Sequence, residues 1–436
     1  MQQTFDENPY TGCKCTEIRH ESGLTVRVCE MPGFHTAQMS LTVRFGSDSL
    51  CYRLDGTEYR LLPGTAHYLE HQLLENQDIH ALSAFSRLGA YANAATYGDM
   101  TTYEARTAHN VYEVLALLLR TVQDPAFTEK TVEKERGIIA SELRRVMDSP
   151  LYRLSMRLRA IRYAGHPYCE DPVGNMKSIS EISRDMLMQA YSHWYTPNNM
   201  LLACAGNIAP DAVMETVDRV LKRIPPKKPE TVFPPVSLVL PQKVFRLTDG
   251  QIGVPITALE FASDLTGLTK EEKVRRGMYT DLASEIIFGD MTEFEEQMLR
   301  ADMYVSSRQV NSGSDNFRNV VLMVLEPSDS EAYQNAVFAE LDRVQREGMD
   351  KELFRAIMRS AYANACAGQR TPANMASLMA STWRDGFQPF DPVRMFHACS
   401  LEAIEAALPL LFPQTQCMRY EILPEDAGEE GEFDYE

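Results

Sequence analysis

Two histidines with a glutamate between them form the stretch of this sequence best suited to chemistry. His67 and His71 are four residues apart, and Glu70 directly precedes the second. In a helix, side chains four residues apart lie one turn above each other, so both imidazoles can reach one metal ion. Glu70 would lie on the flank of that face, near a water molecule at the metal. The alternative is an amphipathic helix whose two histidines share a face by accident.

A third metal ligand is needed, because a zinc hydrolase uses three protein ligands and an open fourth position. The order His-x-x-Glu-His is the inverted form of the commoner His-Glu-x-x-His zinc motif. Apolar spacing over residues 132–143 predicts a helix that carries Glu135 and Glu142, two turns apart on one face. One of them could bind the metal while the other supports a histidine. The alternative for this stretch is a solvated, charged helix.

These segments together resemble the insulinase and pitrilysin family of zinc peptidases. The resemblance includes residues 91–97, Tyr-Ala-Asn-Ala-Ala-Thr-Tyr, which are similar to the Asn-Ala-x-Thr strand of that family, and it continues through 127–136 and 193–200. It is strong over the first half of the chain and extends in outline over the second half. The chain is most similar to the bacterial two-domain members, the YmfH-like and processing-peptidase-like group.

The resemblance implies a role for each residue of the motif segments. One Zn²⁺ per chain would be bound by His67, His71 and Glu142. Glu70 would be the general base, and Glu135 the carboxylate that supports a histidine. Asn93 and Ala94 would bind the substrate as an added strand. The implied function is a zinc-dependent endopeptidase acting on short or unfolded peptides, and the alternative is a non-catalytic peptide-binding or assembly subunit.

A chain of 436 residues exceeds one typical core, so two domains are expected. We predict a metal-binding α+β domain over 1–224, a proline-rich linker over 225–242, a second α+β domain over 243–424 and an acidic disordered tail over 425–436. Each domain would be a mostly antiparallel sheet packed with helices, and together they would form a clam-like half-chamber. We predict that the second domain repeats the first, because Asp-Arg-Val-Gln at 342–345 is similar to Arg-Thr-Val-Gln at 120–123.

The repeat does not carry the metal motif. At the same offset, Ile357 and Asn364 replace the two helix glutamates, and His397 stands alone. In the resembling family the second half supplies an arginine and a tyrosine that hold the substrate, and the matching residues here are Arg300 and Tyr304. Tyr304 follows Arg300 sooner than the family spacing requires, and Arg300 is alternatively a surface helix residue. Either Tyr304 has moved or a partner chain completes the site, and we expect a homodimer, or a heterodimer with a related chain that lacks the motif.

Composition limits the binding partners and the cellular location that we expect for this protein. The formal net charge of −18 argues against nucleic acids and anionic membranes as partners, because both select basic surfaces. The sequence starts without a signal-peptide pattern and contains no apolar run long enough to span a bilayer. Nine scattered cysteines are typical of reduced thiols, which predicts a cytoplasmic protein.

Local patterns predict the elements that must position the motif residues. Alternating apolar and polar residues predict strands over 24–29 and 37–45. Residues 46–64 are polar and rich in turn formers, which predicts a loop that leads into the motif helix. Further predicted elements are a strand at 90–96, a buried strand at 201–205, and helices at 83–89, 111–122, 150–164 and 182–194.

Overall fold

The computed structural model describes residues 2–75, 81–234, 243–250, 252–304, 308–315 and 317–425. The chain divides into two compact units, of which the first comprises Met1–Pro235 with Ala365–Pro392. The second comprises Val236–Asn364 with Val393–Glu436. Both units combine sheets with helices, and the prediction of an α+β fold is confirmed.

The strands of the first unit are β1 (Gln2–Glu7), β2 (Lys14–Arg19), β3 (Thr25–Glu30), β4 (Ala37–Val43), β5 (Cys51–Leu54), β6 (Thr57–Arg60), β7 (Ala90–Thr96), β8 (Thr101–Thr107), β9 (Met200–Gly206) and β10 (Glu230–Thr231). Among the described residues, seven of them form one sheet in the order β1-β2-β3-β9-β4-β8-β7. Neighbouring strands are antiparallel except β3 and β9, which are parallel. Strand β7 ends this sheet, so its outer edge has no strand partner in the described part of the chain.

The helices that follow these strands are α1 (Thr65–Leu74), α2 (Ala81–Arg87), α3 (Val111–Gln123), α4 (Glu129–Met147), α5 (Pro150–Arg162), α6 (Met176–Glu181), α7 (Arg184–Trp194) and α8 (Pro210–Val220). Short 3-10 turns occupy Pro167–Cys169 and Pro197–Asn199. Apolar side chains of α1, α3, α4 and α7 pack with the sheet into one buried core, which includes Leu69, Leu119, Ile139 and Trp194. The helix α1 that carries the histidine motif is therefore held by a continuous hydrophobic core.

The second unit contains strands β11 (Val244–Thr248), β12 (Ile256–Asp264), β13 (Gln309–Ser314), β14 (Arg318–Leu325) and β15 (Met418–Leu423). Within the described ranges they form a sheet in the order β11-β15-β12-β14-β13, in which β11 and β15 are the parallel pair. The helices after α8 are α9 (Lys270–Phe288), α10 (Glu293–Arg300), α11 (Ser330–Glu347), α12 (Lys351–Gly368), α13 (Pro372–Asp385), α14 (Asp391–His397) and α15 (Leu401–Leu411), with a 3-10 turn at Gln414–Gln416.

The predicted repeat is present in the structure. The order β3-β9-β4-β8-β7 in the first unit has the same pattern of parallel and antiparallel pairs as β11-β15-β12-β14-β13 in the second. Helix α4 begins at Glu129 and α12 at Lys351, so the two helices are separated by the same 222 residues (351 − 129) as the echoed sequence. The position of Glu135 is taken by Ile357, whose side chain is buried in the second core.

The structural units differ from the predicted domains in one respect. Residues 365–392, assigned by sequence to the second domain, belong to the first unit, where α13 covers the outer face of its sheet. Met375, Met379 and Trp383 of α13 pack there against Leu201 and Ala203 of β9. This helix is distant in sequence from the sheet that it covers, and the sequence analysis did not predict their contact.

A buried arginine fixes α13 to the sheet. The side chain of Arg27 is 3% exposed and donates from Nε to Glu17 at 2.8 Å. Its two Nη atoms donate to the carbonyl oxygens of Met379 and Phe387 and to the hydroxyl of Thr382, at 2.7–2.9 Å. The guanidinium therefore links Glu17 of β2 to three acceptor groups in and just after the last turns of α13.

The predicted loop over 46–64 is wrong in part, because it contains the hairpin of β5 and β6. Asp55 and Gly56 form its two-residue turn with φ of 50° and 80°. An Asp-Gly pair is a strong signal for this hairpin turn, since both residues adopt positive φ readily. The predicted strands at 24–29, 37–45, 90–96 and 201–205 are confirmed with small changes at their ends.

Two predicted segments lie partly outside the described residues. Of the proline-rich linker at 225–242, residues 235–242 are not described, and Glu230–Thr231 within it forms strand β10 against β5. Of the acidic tail at 425–436, only Glu425 is described. In the described part of the chain no single helix is long and apolar enough to cross a membrane, although the bent pair Asp391–His397 and Leu401–Gln416 meets that test by length and composition alone.

Candidate metal centre

A glycine directly precedes helix α1, at a position where the neighbouring loop leaves no room for a side chain. Gly64 precedes the helix with φ of 85°, and a Cβ atom there would lie 2.4 Å from the carbonyl oxygen of Val173. Tyr68, Leu69 and Leu73 are fully buried, which fixes the rotation of the helix about its axis. The hydroxyl of Tyr68 also donates to the carbonyl oxygen of Val132 at 2.5 Å and so ties α1 to α4. These contacts fix the orientation of the α1 face that carries the two histidines.

The structure brings together the three predicted metal ligands. Nε2 of His71 lies 3.4 Å from Oε2 of Glu142, and Nε2 of His67 lies 3.8 Å from the same oxygen. One ligand atom from each of the three residues lies within 4.8 Å of the others. A tetrahedral zinc ion with bonds of about 2.0–2.2 Å requires ligand atoms about 3.3 Å apart. His67, His71 and Glu142 could therefore hold one metal ion with small movements of their side chains, and this donor set is the only such group among the residues that the structure describes.

The two histidines have different surroundings. Burial, together with the neighbouring His71, lowers the pKa of His67, and this favours the neutral ring that a metal ligand must have. Nδ1 of His67 is buried and has no hydrogen-bond partner among the described residues. Burial also acts to lower the pKa of His71, but the hydrogen bond to Glu135 and the charges of Glu70 and Glu142 outweigh it and raise that pKa.

Glu135 occupies the supporting position. Its side chain is 2% exposed, and Oε2 lies 3.4 Å from Nδ1 of His71, on the ring atom opposite to the one that faces Glu142. Nζ of Lys134 lies 3.3 Å from the other carboxylate oxygen. Burial acts to raise the pKa of Glu135, but the hydrogen bond to His71 and the ammonium of Lys134 outweigh it and lower that pKa. Glu135 is thus a buried carboxylate within hydrogen-bond distance of His71, and its supporting role stays a prediction.

Glu70 lies on the same helix and is 8% exposed. Its Oε2 atom accepts a hydrogen bond of 2.8 Å from Oγ1 of Thr96, at the end of β7. Burial raises the pKa of this carboxyl, while the hydrogen bond from Thr96 acts in the opposite direction. Sequence reasoning quoted Thr96 in the strand motif but gave it no role, because 26 residues separate it from Glu70 and only the fold brings the two together.

The predicted substrate-binding residues lie in two places. Asn93 and Ala94 are on β7, where they pair with Glu104 and Tyr103 of β8. Asn93 is exposed and Ala94 is partly exposed. Because the outer edge of β7 carries no other strand in the described chain, its backbone groups are available to an added strand.

Arg300 and Tyr304 lie in the second unit, where each has a partner within that unit. Arg300 ends α10, its side chain is 74% exposed, and it pairs with Glu296 one turn earlier. The hydroxyl of Tyr304 donates to Glu295, which also pairs with the buried Arg308. The substrate-binding role of Arg300 and Tyr304 stays a prediction.

Comparison with known proteins places this arrangement in a family. Residues 30–171, which contain the donor set, match the family model described as Insulinase (Peptidase family M16), and residues 181–360 match the model described as Peptidase M16 inactive domain. The structure is similar to that of a putative M16-like peptidase from Alicyclobacillus acidocaldarius, with a TM-score of 0.88 at 22% identity over 96% of this chain and 100% of that one. The fold is that of the two-domain M16 peptidases. The chain belongs to the insulinase family of peptidases, M16.

Two relatives show how far the sequence similarity extends. The chain is 39% identical over 218 residues to the uncharacterized zinc protease YmfH of Bacillus subtilis, which covers 50% of each protein. It is 27% identical over 166 residues to a probable mitochondrial-processing peptidase subunit beta of Arabidopsis thaliana, which covers 37% of this chain and 31% of that protein. The matched region therefore spans half or less of the length of these relatives. The name of the first relative describes a zinc protease, and the name of the second describes a peptidase subunit.

Proposed function

We propose that this chain is a zinc-dependent endopeptidase that acts on short or unfolded peptides. The observation that carries the proposal is the set of His67, His71 and Glu142 around one point, with the buried carboxylate of Glu70 on the same helix. A zinc ion bound there would polarise the scissile carbonyl and lower the pKa of a water molecule to about 7. Glu70 would accept the proton of the attacking water and later donate it to the leaving amine.

The edge of β7 would hold the peptide during this reaction. A substrate that adds as a strand beside Asn93 and Ala94 forms main-chain hydrogen bonds, which give affinity with little dependence on side chains. Such binding requires an extended backbone, and folded proteins rarely offer one. The proposed substrate class of short or unfolded peptides follows from this edge.

The experiment measures zinc per chain and cleavage of an unstructured peptide, with and without a chelator. His67→Ala and His71→Ala are each expected to remove zinc and activity, because two remaining protein ligands rarely hold the metal. His35→Ala is the control, since this histidine is exposed and is not in the donor set. Near-stoichiometric zinc in either motif variant would contradict the ligand assignment. Zinc binding without cleavage would favour the non-catalytic alternative.

We also propose that the active form is a dimer, either of two such chains or with a related chain that lacks the motif. Support comes from the second unit, whose described residues contain no group that could hold a metal, and from the matched relative whose name makes it a subunit. The test is a titration of peptidase activity against a candidate partner or against chain concentration. Full activity from a strictly monomeric sample would contradict this proposal. The cytoplasmic location also stays a prediction.

A further inference from the structure

The hydrogen bond between Thr96 and Glu70 joins two elements that are each anchored independently. Thr96 is the last residue of β7, and Glu70 lies in α1. Oγ1 of Thr96 lies 2.8 Å from Oε2 of Glu70. A hydroxyl that donates to a carboxylate makes a charge-assisted hydrogen bond, which is stronger than one between neutral groups.

The strand end that carries Thr96 is fixed by backbone contacts. Directly after it, the amide of Tyr97 donates to the carbonyl oxygen of Met100 at 2.8 Å and closes the β7–β8 turn. The amide of Ser47 then donates to the carbonyl oxygen of Tyr97 at 2.9 Å. This approach requires glycine at position 46, since a Cβ atom there would lie 2.3 Å from that same carbonyl oxygen. The position of Thr96 is therefore set by the turn and by the segment before β5.

Helix α1 is fixed by separate contacts on its other side. Nε2 of Gln72 donates to the carbonyl oxygen of Thr131 at 3.1 Å, and Oγ1 of Thr131 donates to Oε1 of Gln72 at 3.1 Å. With the bond from Tyr68 to Val132, these contacts hold α1 against α4. Neither set of anchors involves the hydroxyl of Thr96. Removing that hydroxyl is therefore expected to leave both backbones in place.

A glutamate side chain has several rotatable bonds, so anchoring its backbone does not by itself fix the carboxylate. The hydroxyl of Thr96 donates to one carboxylate oxygen, Oε2, and the backbone of Thr96 also contacts this carboxylate, more weakly. We propose that Thr96 is a positioning residue, which holds the carboxylate of Glu70 in the orientation needed for proton transfer. This inference rests on the proposed function, in which Glu70 is the general base. Such positioning acts on the reaction step, because a misplaced group lowers the rate even where binding is intact.

The test compares Thr96→Val with Thr96→Ser in the zinc-loaded chain, in whichever oligomer cleaves an unstructured peptide fastest. Valine keeps the branched shape that suits a strand and removes the hydroxyl, whereas serine keeps the hydroxyl. Thr96→Val is expected to lower kcat by about tenfold or more, the scale of one hydrogen bond to a charged group, with KM and bound zinc unchanged. Thr96→Ser is expected to restore most of kcat. Thr4→Val, at an exposed position of β1, is the control for the same exchange elsewhere in the sheet.

The outcomes separate this inference from the proposed function. If the parental chain cleaves peptides and Thr96→Val has the parental kcat, the positioning role is overturned while the peptidase assignment stands. Loss of zinc, or a raised KM with unchanged kcat, would also overturn it, because the hydroxyl would then serve metal binding or substrate binding. If the parental chain does not cleave peptides in any oligomer, the proposed function fails first and this inference fails with it.

Discussion

The Nδ1 atom of His71 lies 3.4 Å from Oε2 of Glu135. Because Glu135 is 2% exposed, its carboxylate is directed at the imidazole and away from solvent. A hydrogen bond at one ring nitrogen fixes the tautomer and leaves the lone pair on the other nitrogen for a metal. In this structure the other nitrogen is the one that faces Glu142. The two glutamates of α4 therefore contact different nitrogen atoms of His71, although both occupy one helix face.

This relationship predicts a ranking of zinc affinities. Glu135→Gln is expected to weaken zinc by about ten- to a hundredfold, the usual effect of losing a group that orients a ligand. Glu142→Gln is expected to weaken zinc more, because it removes a ligand. Competition with a chelator measures both affinities, and Glu133→Gln, at an exposed position of the same helix, serves as the control. A reversed order would exchange the roles of Glu135 and Glu142.

The start of the motif helix provides a second prediction. Gly64 and Gly56 have similar φ of 85° and 80°, but only at Gly64 would a Cβ atom contact backbone, 2.4 Å from the carbonyl oxygen of Val173. Gly64→Ala and Gly56→Ala should share the strain of a left-handed residue, about 1–2 kcal/mol. Gly64→Ala must also displace the start of α1. We expect it alone to lower zinc affinity, measured by chelator competition, and equal affinities would show that the helix start does not position His67.

The buried Arg27 provides a prediction about stability. Arg27→Met removes the nearest charged partner of Glu17, leaving Arg19 at 3.7 Å, and removes one donor to each of two carbonyl groups near α13. Removing one partner of a buried ion pair costs about 3–5 kcal/mol. Arg53→Met is the matched control, since the pair of Arg53 with Glu58 is exposed to solvent and contributes little to stability. Urea unfolding monitored by the tryptophan fluorescence of the first unit measures both, and equal midpoints would contradict the role of Arg27.

Sequence could predict those parts of the site that depend on spacing within one helix. His67, Glu70 and His71 share one helix, and the two turns between Glu135 and Glu142 place both on one face of another. The resemblance to the family then assigned the ligand and the supporting residue, and these roles stay predictions; in the structure Glu142 lies near Nε2 of His71 and Glu135 near its Nδ1. The periodicity of a helix is sufficient for such predictions, because it fixes which side chains lie together before any tertiary contact forms.

Other features depend on contacts between segments that are distant in sequence. The hydrogen bond from Thr96 to Glu70 is one such contact, and the packing of α13 on the first sheet is another. No local sequence pattern predicts either of them. The hairpin at Asp55 and Gly56 is a different case. The sequence contains an Asp-Gly pair typical of a hairpin turn, but the polar composition of 46–64 led to the prediction of a loop. For Arg300 and Tyr304 the structure supplies partners within their own unit, which spacing alone did not indicate.

The most direct measurement of the central claim is a comparison of the parental chain with Glu70→Gln, in which bound zinc and peptide cleavage are measured on the same samples. Glutamine keeps the shape of the side chain and can accept from Thr96, but it cannot take a proton from water. Glu70→Gln is expected to retain zinc and folded structure while turnover falls by at least about a hundredfold, the scale of a general base. Cleavage at the parental rate by zinc-loaded Glu70→Gln would show that Glu70 is not the base.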